Sequence, residues 1–472
     1  MGSPLRNLLA GSRTRVSLLC ATVAFLWYSV VGLAHFHRFR SGIDLTIFGQ
    51  AIKQYAALRA PVVLVKGQAP FNLLGDHFHP ILALIAPFYR LWPDVQALLI
   101  AQAVLIAGGV LVLTGHAVDR LGPRRGALTG IGFAFSWGVL QAVDFDFHEI
   151  AFGVLLLALS LRSACAGRWT AMVVYCALLL LVKEDAPFLV IGIAAYVFLM
   201  GRRKLALLLA AGATGYLLLV LFVVIPAFNP SSAYTYFSYV GGSSRGLSGL
   251  IGQVADAVAT PTFLLLLLAF LITAGLGALS PVMLVLVPTI AVRLASSNGV
   301  YLTFGYHYNA TLMVVVFFAL IDGWSRLALR SANVQVWATR VQIGAVITII
   351  GLSLARTPAL HSVVSGFQEC SKCGQAQQAL RVIPNHARVA ADVFLASHLL
   401  DRADVLVANP SFTDSLGATI HAGWVVLDLT TTAEGPPGWA AALERRLLTQ
   451  GFRVDSTVGS FVVLECRLAL CS

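Results

Sequence analysis

Long apolar runs recur along this chain, and they limit its fold more than any other feature. They fall near residues 16–34, 94–117, 127–143, 150–163, 170–183, 186–200, 205–227, 262–279, 281–293, 308–323 and 341–355. A bilayer's hydrocarbon core is about 30 Å thick and takes about 20 apolar residues per helix, so the pattern predicts a polytopic α-helical membrane protein with about eleven transmembrane helices. Several runs are short for that thickness, which predicts broken or bundle-buried helices there. Of the 472 residues 58% are apolar and 11% charged, with a mean hydropathy of +0.83. A soluble protein carries about a quarter charged residues. A soluble enzyme, a disordered chain and a nucleic-acid binder are excluded, despite a formal net charge of +11.

That charge reads as topology. With the N-terminus in the cytoplasm, the cytoplasmic segments gather Arg6, Arg13, Arg15, Arg120, Arg124, Arg125, Arg162, Arg168, Arg202, Arg203, Lys204, Arg326, Arg330 and Arg340, against Asp119 and Asp322. Outer segments are balanced in sign. This is the positive-inside pattern, and nucleic acid is not needed to explain it. The first run follows a basic start and lacks a small-x-small cleavage site, so it reads as a retained signal anchor. No lipobox or prenylation motif is visible. The expected location is the plasma membrane, multi-pass, with the C-terminal part outside.

The chain divides into a transmembrane domain, 1–355, and an extracytoplasmic α/β domain, 356–472. A long first outer loop, 35–93, holds two amphipathic stretches, Asp44 to Leu58 and Pro80 to Trp92. Both are too short to span and read as interfacial helices. Between them lies a Gly/Pro-punctuated polar loop, Lys66 to Pro80. A second outer loop, Phe228 to Pro261, is rich in Ser, Gly and Tyr and reads as a lid or acceptor-contacting loop, or equally as a flexible connector. In the C-terminal domain, Arg388–Val393, Asp404–Ala408, Trp424–Leu429, Phe452–Asp455 and Ser460–Cys466 read as strands, and Trp439–Gln450 as a helix stopped by Gly451. No internal repeat is visible, which disfavours a transporter. Cys20, Cys165 and Cys176 read as small apolar residues. Cys370, Cys373, Cys466 and Cys471 read as disulfide candidates in an oxidising compartment, with zinc or free thiols as alternatives and the pairing open.

Ionisable residues near a membrane are expensive and mark function. Here nearly all acids of the membrane half gather at outer helix ends and outer loops, and the ionisable clusters there stand out. They are Asp44, Asp76 with His77 and His79, Asp144, Asp146, His148 and Glu149, then Lys183, Glu184 and Asp185, with Arg293 and His307 flanking a later loop. One outer cavity collecting them would place a carboxylate to deprotonate an acceptor hydroxyl and a cation to stabilise a departing phosphate. That pairing suits glycosyl transfer from a lipid-phosphate sugar. Each cluster also has a plainer explanation. Asp44 reads as a catalytic base or as a helix N-cap. Asp76-His-Phe-His79 reads as substrate contact or as local loop order. Asp144-Phe-Asp-Phe-His-Glu149 holds metal-compatible ligand types, which a turn of solvated acids explains too. Lys183-Glu-Asp185 is a phosphate or sugar site or an interfacial ion pair, and His307 is functional or an aromatic-belt residue. No cofactor is assigned, with metal independence preferred.

Asp44-Leu-Thr-Ile-Phe-Gly-Gln-Ala-Ile, Gly75-Asp-His-Phe-His-Pro-Ile-Leu, Phe145-Asp-Phe-His-Glu, Val182-Lys-Glu-Asp-Ala-Pro, Ile225-Pro-Ala-Phe-Asn-Pro and Tyr306-His-Tyr together resemble a bacterial membrane-protein family of the GT-C glycosyltransferase superfamily. The resemblance covers essentially the whole chain. It implies a polyprenyl-phosphate sugar donor, inverting transfer on the outer face and an envelope glycan or lipid acceptor. It further implies a catalytic acid just after the first span, which Asp44 matches best, with Asp76 in reserve. An acid between the third and fourth spans is matched by Asp144, Asp146 or Glu149. On this reading Asp146 and Glu149 orient acceptor or sugar together with Asp144, His148, Glu184 and Asp185. Lys183, Arg293 and His307, with His77 and His79, hold the donor phosphate. The rivals are a transporter or flippase of a lipid-linked sugar and a non-catalytic partner in envelope assembly.

Overall fold

The computed structural model describes residues 3–68, 71–239, 246–327 and 370–467, together with parts of 336–353. The helical body comprises α1 (Ser3–His37), α2 (Ile43–Ala56), α3 (Ala86–Leu91), α4 (Gln96–Leu121), α5 (Pro123–Ala134), α6 (Trp137–Asp144), α7 (Ile150–Cys165), α8 (Trp169–Leu180), α9 (Ala186–Leu199) and α10 (Arg203–Leu219). It continues with α11 (Gly246–Ala259), α12 (Pro261–Ala274), α13 (Val287–Leu294) and α14 (Ala310–Leu327).

Among the described residues three helices are long and apolar enough to cross a membrane, over Gly11–His37, Gln96–Leu121 and Arg203–Phe228. Two bent pairs, α5 with α6 at 43° and Gly249–Ala259 with α12 at 67°, raise this to five if each pair is one span. The eleven apolar runs therefore do not become eleven full-length helices. Hydropathy records the run but not the turn within it: the run at 127–143 breaks at Phe135 and Ser136, and α7, α8 and α9 are shorter apolar helices. The last expected span, 341–355, lies partly outside the described residues. Apolar on every side, α14 is buried continuously from Ala310 to Ile321, as a helix at the centre of a bundle must be. On α5, Gly126 and Gly130 are one turn apart and press on α4. A Cβ at Gly126 would lie 2.7 Å from the Val118 Cα, so only a small residue permits that approach. Beyond Leu219 α10 widens into a π turn at Val220–Val224 and reaches Phe228. Pro226 lacks an N–H and its ring crowds the preceding turn, which the wider turn relieves.

Helix ends sort by charge. At one end Asp119 meets Arg13 and Arg162 at 3.4 Å each. The opposite end carries the loops at 38–95, 145–149, 181–185, 229–239 and 295–309, and there the C-terminal part docks.

That part is a five-stranded sheet of β1 (Arg388–Ala391), β2 (Asp404–Val407), β3 (Trp424–Asp428), β4 (Phe452–Val458) and β5 (Phe461–Cys466), in the order β2-β1-β3-β5-β4. The first three are parallel and the last two antiparallel to their neighbours. Expected strand positions hold to within a few residues, and the expected helix is α16 (Trp439–Thr449), preceded in the chain by an unforeseen α15 (Ser371–Arg381). The domain boundary expected at 355 lies outside the described residues.

The stretch expected as a first interfacial helix is α2, but it does not lie on a lipid surface. All eight residues from Leu45 to Ile52 are buried, because the sheet domain covers what the bundle leaves open. The Gln50 amide donates to the Val405 carbonyl at 2.7 Å, and Lys53 Nζ donates to the Leu400 carbonyl at 2.7 Å. His398 stacks on Phe36 and Phe39 at 4.0 Å each. One continuous core consequently runs from α1 into β1. The second expected interfacial stretch is a 3₁₀ turn, Pro80–Ile85, followed by α3.

Cys370 and Cys373 form a disulfide and Cys466 is disulfide-bonded, while Cys20, Cys165 and Cys176 are free thiols. Cys471 lies outside the described residues.

Candidate functional site

The site is assembled around the first turn of α2. Gly42, not Asp44, occupies the N-cap position, and no side chain caps the helix. The Asp44 carboxylate sits in the first turn, where the helix dipole favours negative charge, and remains about a third exposed. It faces His148, whose Nε2 lies 3.6 Å away.

The loop between α6 and α7 anchors this helix start. Asp146 Oδ2 accepts from the Gly42 N–H at 2.7 Å, and Asp146 itself adopts a left-handed backbone with φ of 65°. Burial, opposed by the Gly42 hydrogen bond, pushes its carboxyl up to about 7. Gln102, a buried amide in the apolar α4, braces the same loop. Its Nε2 donates to the Asp146 carbonyl at 2.7 Å and its Oε1 accepts from the His148 N–H at 2.9 Å.

Next to His148, Glu149 pairs with Lys183 at 3.0 Å, the acid 1% and the lysine 15% exposed. Burial alone raises an acid and lowers a lysine. Their mutual attraction outweighs it, holding Glu149 well below and Lys183 well above their ordinary ranges. The His148 and His307 rings stack at 3.9 Å. Burial holds His148 and His307 below the usual histidine range and His79 down to about 4, so these imidazoles are neutral.

Two further strands of chain close the site. Gly75 packs so tightly that a Cβ there would lie 2.4 Å from the Phe228 carbonyl carbon, and its carbonyl accepts from Asn229 Nδ2 at 2.7 Å. The adjacent Asp76 receives Lys66 Nζ at 2.9 Å and the Tyr236 hydroxyl at 2.9 Å. Burial would raise its pKa, but His77 and Lys66 bring it down to about 2. The His77 ring stacks on Tyr236 at 4.4 Å and its Nδ1 meets Glu184 Oε1 at 2.6 Å. Glu184 also accepts from the Phe78 N–H at 3.1 Å and the Tyr234 hydroxyl at 3.0 Å. These contacts, chiefly the charge of His77, outweigh burial and hold it to about 2. For Asp185 burial dominates and raises the carboxyl. The 229–239 segment thus straps the site.

These elements enclose a cavity of 330 Å³. Of the residues singled out in the sequence, Asp44, Asp76, His77, His79, His148, Glu149, Lys183 and His307 line it. A second chamber of 230 Å³ shares His77 and Lys183 with the first and adds Glu184, Asp185 and Arg293. Its remaining wall includes the apolar Phe188, Leu217, Leu221, Phe237 and Val292. Arg293 also donates to Asn309 Oδ1 at 3.1 Å and to the Tyr308 carbonyl at 2.5 Å. Asp144 and Asp146 line neither chamber: Asp146 props α2, and Asp144 closes α6. The disulfide cysteines lie in the sheet domain, away from both. Sequence reasoning gave no site role to Lys66, Gln102 or the tyrosines at 234, 236, 301, 306 and 308, although Lys66 and several of the tyrosines fell in segments it singled out. An amide inside an apolar helix was the available signal for Gln102.

Among the described residues no three His, Cys, Asp or Glu side chains gather in a metal-holding group. The arrangement offers a partly exposed carboxylate, buried neutral imidazoles and a buried ammonium around one space. That set can take a proton from a hydroxyl and neutralise an anion.

No curated protein matches the chain. A family model does, from residue 35 to residue 451, and this protein belongs to that family, described as predicted membrane protein (DUF2079).

Proposed function

We propose that this membrane protein is a GT-C type glycosyltransferase that moves a sugar from a polyprenyl-phosphate donor to an envelope acceptor at the outer face of the plasma membrane, with the N-terminus cytoplasmic. The observation that carries this reading is the sharing of Lys183 by two chambers of differing character. One is the more polar and contains Asp44; the other is largely apolar. A lipid phosphate suits such a boundary, its chain in the apolar chamber and its phosphate against Lys183 and Arg293.

In this mechanism Asp44 removes the proton from the acceptor hydroxyl as its oxygen attacks the anomeric carbon. The bond to the phosphate oxygen breaks with inversion, and Lys183 neutralises the charge that develops on the leaving phosphate. His148 faces Asp44 at 3.6 Å, and Asp146 holds the helix that carries it.

The test is incubation of the purified chain with radiolabelled polyprenyl-phospho-sugars and an envelope extract. Label should pass to the acceptor, and Asp44→Asn should abolish transfer while leaving the unfolding midpoint unchanged. Flux across vesicles without transfer would replace this reading with a flippase.

A further inference from the structure

Tyr306 combines two properties that packing does not explain together. Its backbone φ is 62°, in the left-handed region, where a bulky residue is strained by about 1–3 kcal/mol. Yet the residue is 40% exposed, so full burial does not compensate that strain. The ring lines the mouth of the polar cavity and is braced edge-on by Phe145 at 4.9 Å. Strain of this kind persists where a side chain is held in place for use.

The next residue inward is polar. His307 is 5% exposed, and neither ring nitrogen has a hydrogen-bond partner within the protein. The same holds for His79 Nδ1 in the same cavity wall. Leaving such groups unmatched beside a hydrocarbon ligand is costly. A ligand with an apolar ring face and hydroxyls along its edge satisfies both surfaces at once. A sugar ring has that form: its C–H face stacks on an aromatic ring while its hydroxyls donate to and accept from imidazole nitrogens.

We propose that Tyr306 is the stacking platform of a saccharide acceptor subsite, with His307 as its hydroxyl partner. This deepens the transferase reading and rests on it, fixing the acceptor class as a glycan. The series Tyr306, His307, His148, Asp44 runs from the mouth to the proposed base, through the 3.9 Å ring stack and the 3.6 Å contact. A sugar stacked at the mouth therefore directs its hydroxyl edge along the wall that ends at Asp44.

The experiment is binding in the absence of donor. The detergent-solubilised full chain is applied to an array of pyranose and furanose oligosaccharides. The tightest oligosaccharide is then titrated against Tyr306→Phe and Tyr306→Gly. Phenylalanine keeps the ring and should bind within about threefold of the parent. Glycine relieves the backbone and removes the ring, so the unfolding midpoint should hold or rise while affinity falls about tenfold. The proposal is overturned if no oligosaccharide binds, if the glycine variant binds as the parent does, or if that variant loses its unfolding midpoint. A chain that binds glycan but transfers nothing refutes the transferase reading and leaves this subsite standing. A chain that transfers sugar only to a lipid refutes the subsite.

Discussion

Replacing Lys183 by methionine keeps a long apolar stem and removes one charge from the centre of the site. Its partner Glu149 is 1% exposed at 3.0 Å, so water cannot take over the lysine's part. Coulomb's law at an effective dielectric of about 20 gives about 5.5 kcal/mol for unit charges at this separation, an upper figure because it leaves out desolvation. Breaking a buried pair by removing one member costs about 3–5 kcal/mol, because the remaining charge is stranded. The two figures agree, and we expect Lys183→Met to destabilise the chain by about 3–5 kcal/mol. Glu149→Gln with Lys183→Met leaves no stranded charge and should recover most of that loss. The sign with pH is fixed as well. Glu149 is depressed, so its contribution fades only as pH falls through its folded value; Lys183 is raised, so its contribution fades only as pH rises through its own. Between the ordinary carboxylate and lysine ranges the effect should be flat. Equilibrium unfolding in mixed detergent and SDS micelles, followed by tryptophan fluorescence, measures all three variants in one cycle. A single-variant cost below about 1 kcal/mol, or a double variant as unstable as the two singles added together, refutes the buried-pair account.

Gly75→Ala should cost about 1–3 kcal/mol in the same assay, since the new Cβ meets backbone atoms of Phe228 and Asn229 at 2.4–2.6 Å; an unchanged midpoint would show that these segments do not touch. The Asp146 carboxyl is raised from 3.8 to about 7, so its share of stability is complete below the lower value and is lost as pH rises through the upper one. Asp146→Asn should flatten the midpoint between those pH values, and parallel profiles for parent and variant would contradict the assignment. Alkylation of the denatured, unreduced chain should label Cys20, Cys165 and Cys176 and spare Cys370, Cys373 and Cys466 until reduction. Peptide mass spectrometry reads this directly, and labelling of Cys370 before reduction would count against the bridge.

Local patterns were legible in the sequence wherever a segment's own residues decide its form. The strands of the sheet domain alternate or run apolar between turn residues, and Gly451, with φ of 94°, stops α16 where expected. Asp44 stood out because it opens an amphipathic stretch, although the cap belongs to Gly42. What could not be read depends on distant chain. The burial of α2 from Leu45 to Ile52 is completed by β2 and the Leu400 turn, and no local periodicity records a cover supplied from so far away. The strap of Tyr234 and Tyr236 looked equally like a connector, because its meaning lies in hydroxyls reaching Glu184 and Asp76. The number of full-length helices was not legible for a related reason. Apolar length says how much chain can enter a bilayer, while Phe135 and Ser136 decide where one such run bends.

The clasp between Gln50 and Val405 joins residues 355 positions apart. A ribosome delivers the helix bearing Asp44 long before it delivers the strand that covers it. Until the sheet has been synthesised, has crossed to the far side of the bilayer in the proposed orientation and has folded, that helix keeps one flank uncovered. In the transferase reading proposed above, a chain truncated within the sheet leaves that flank of the helix open and should lose transfer even with every cavity residue intact.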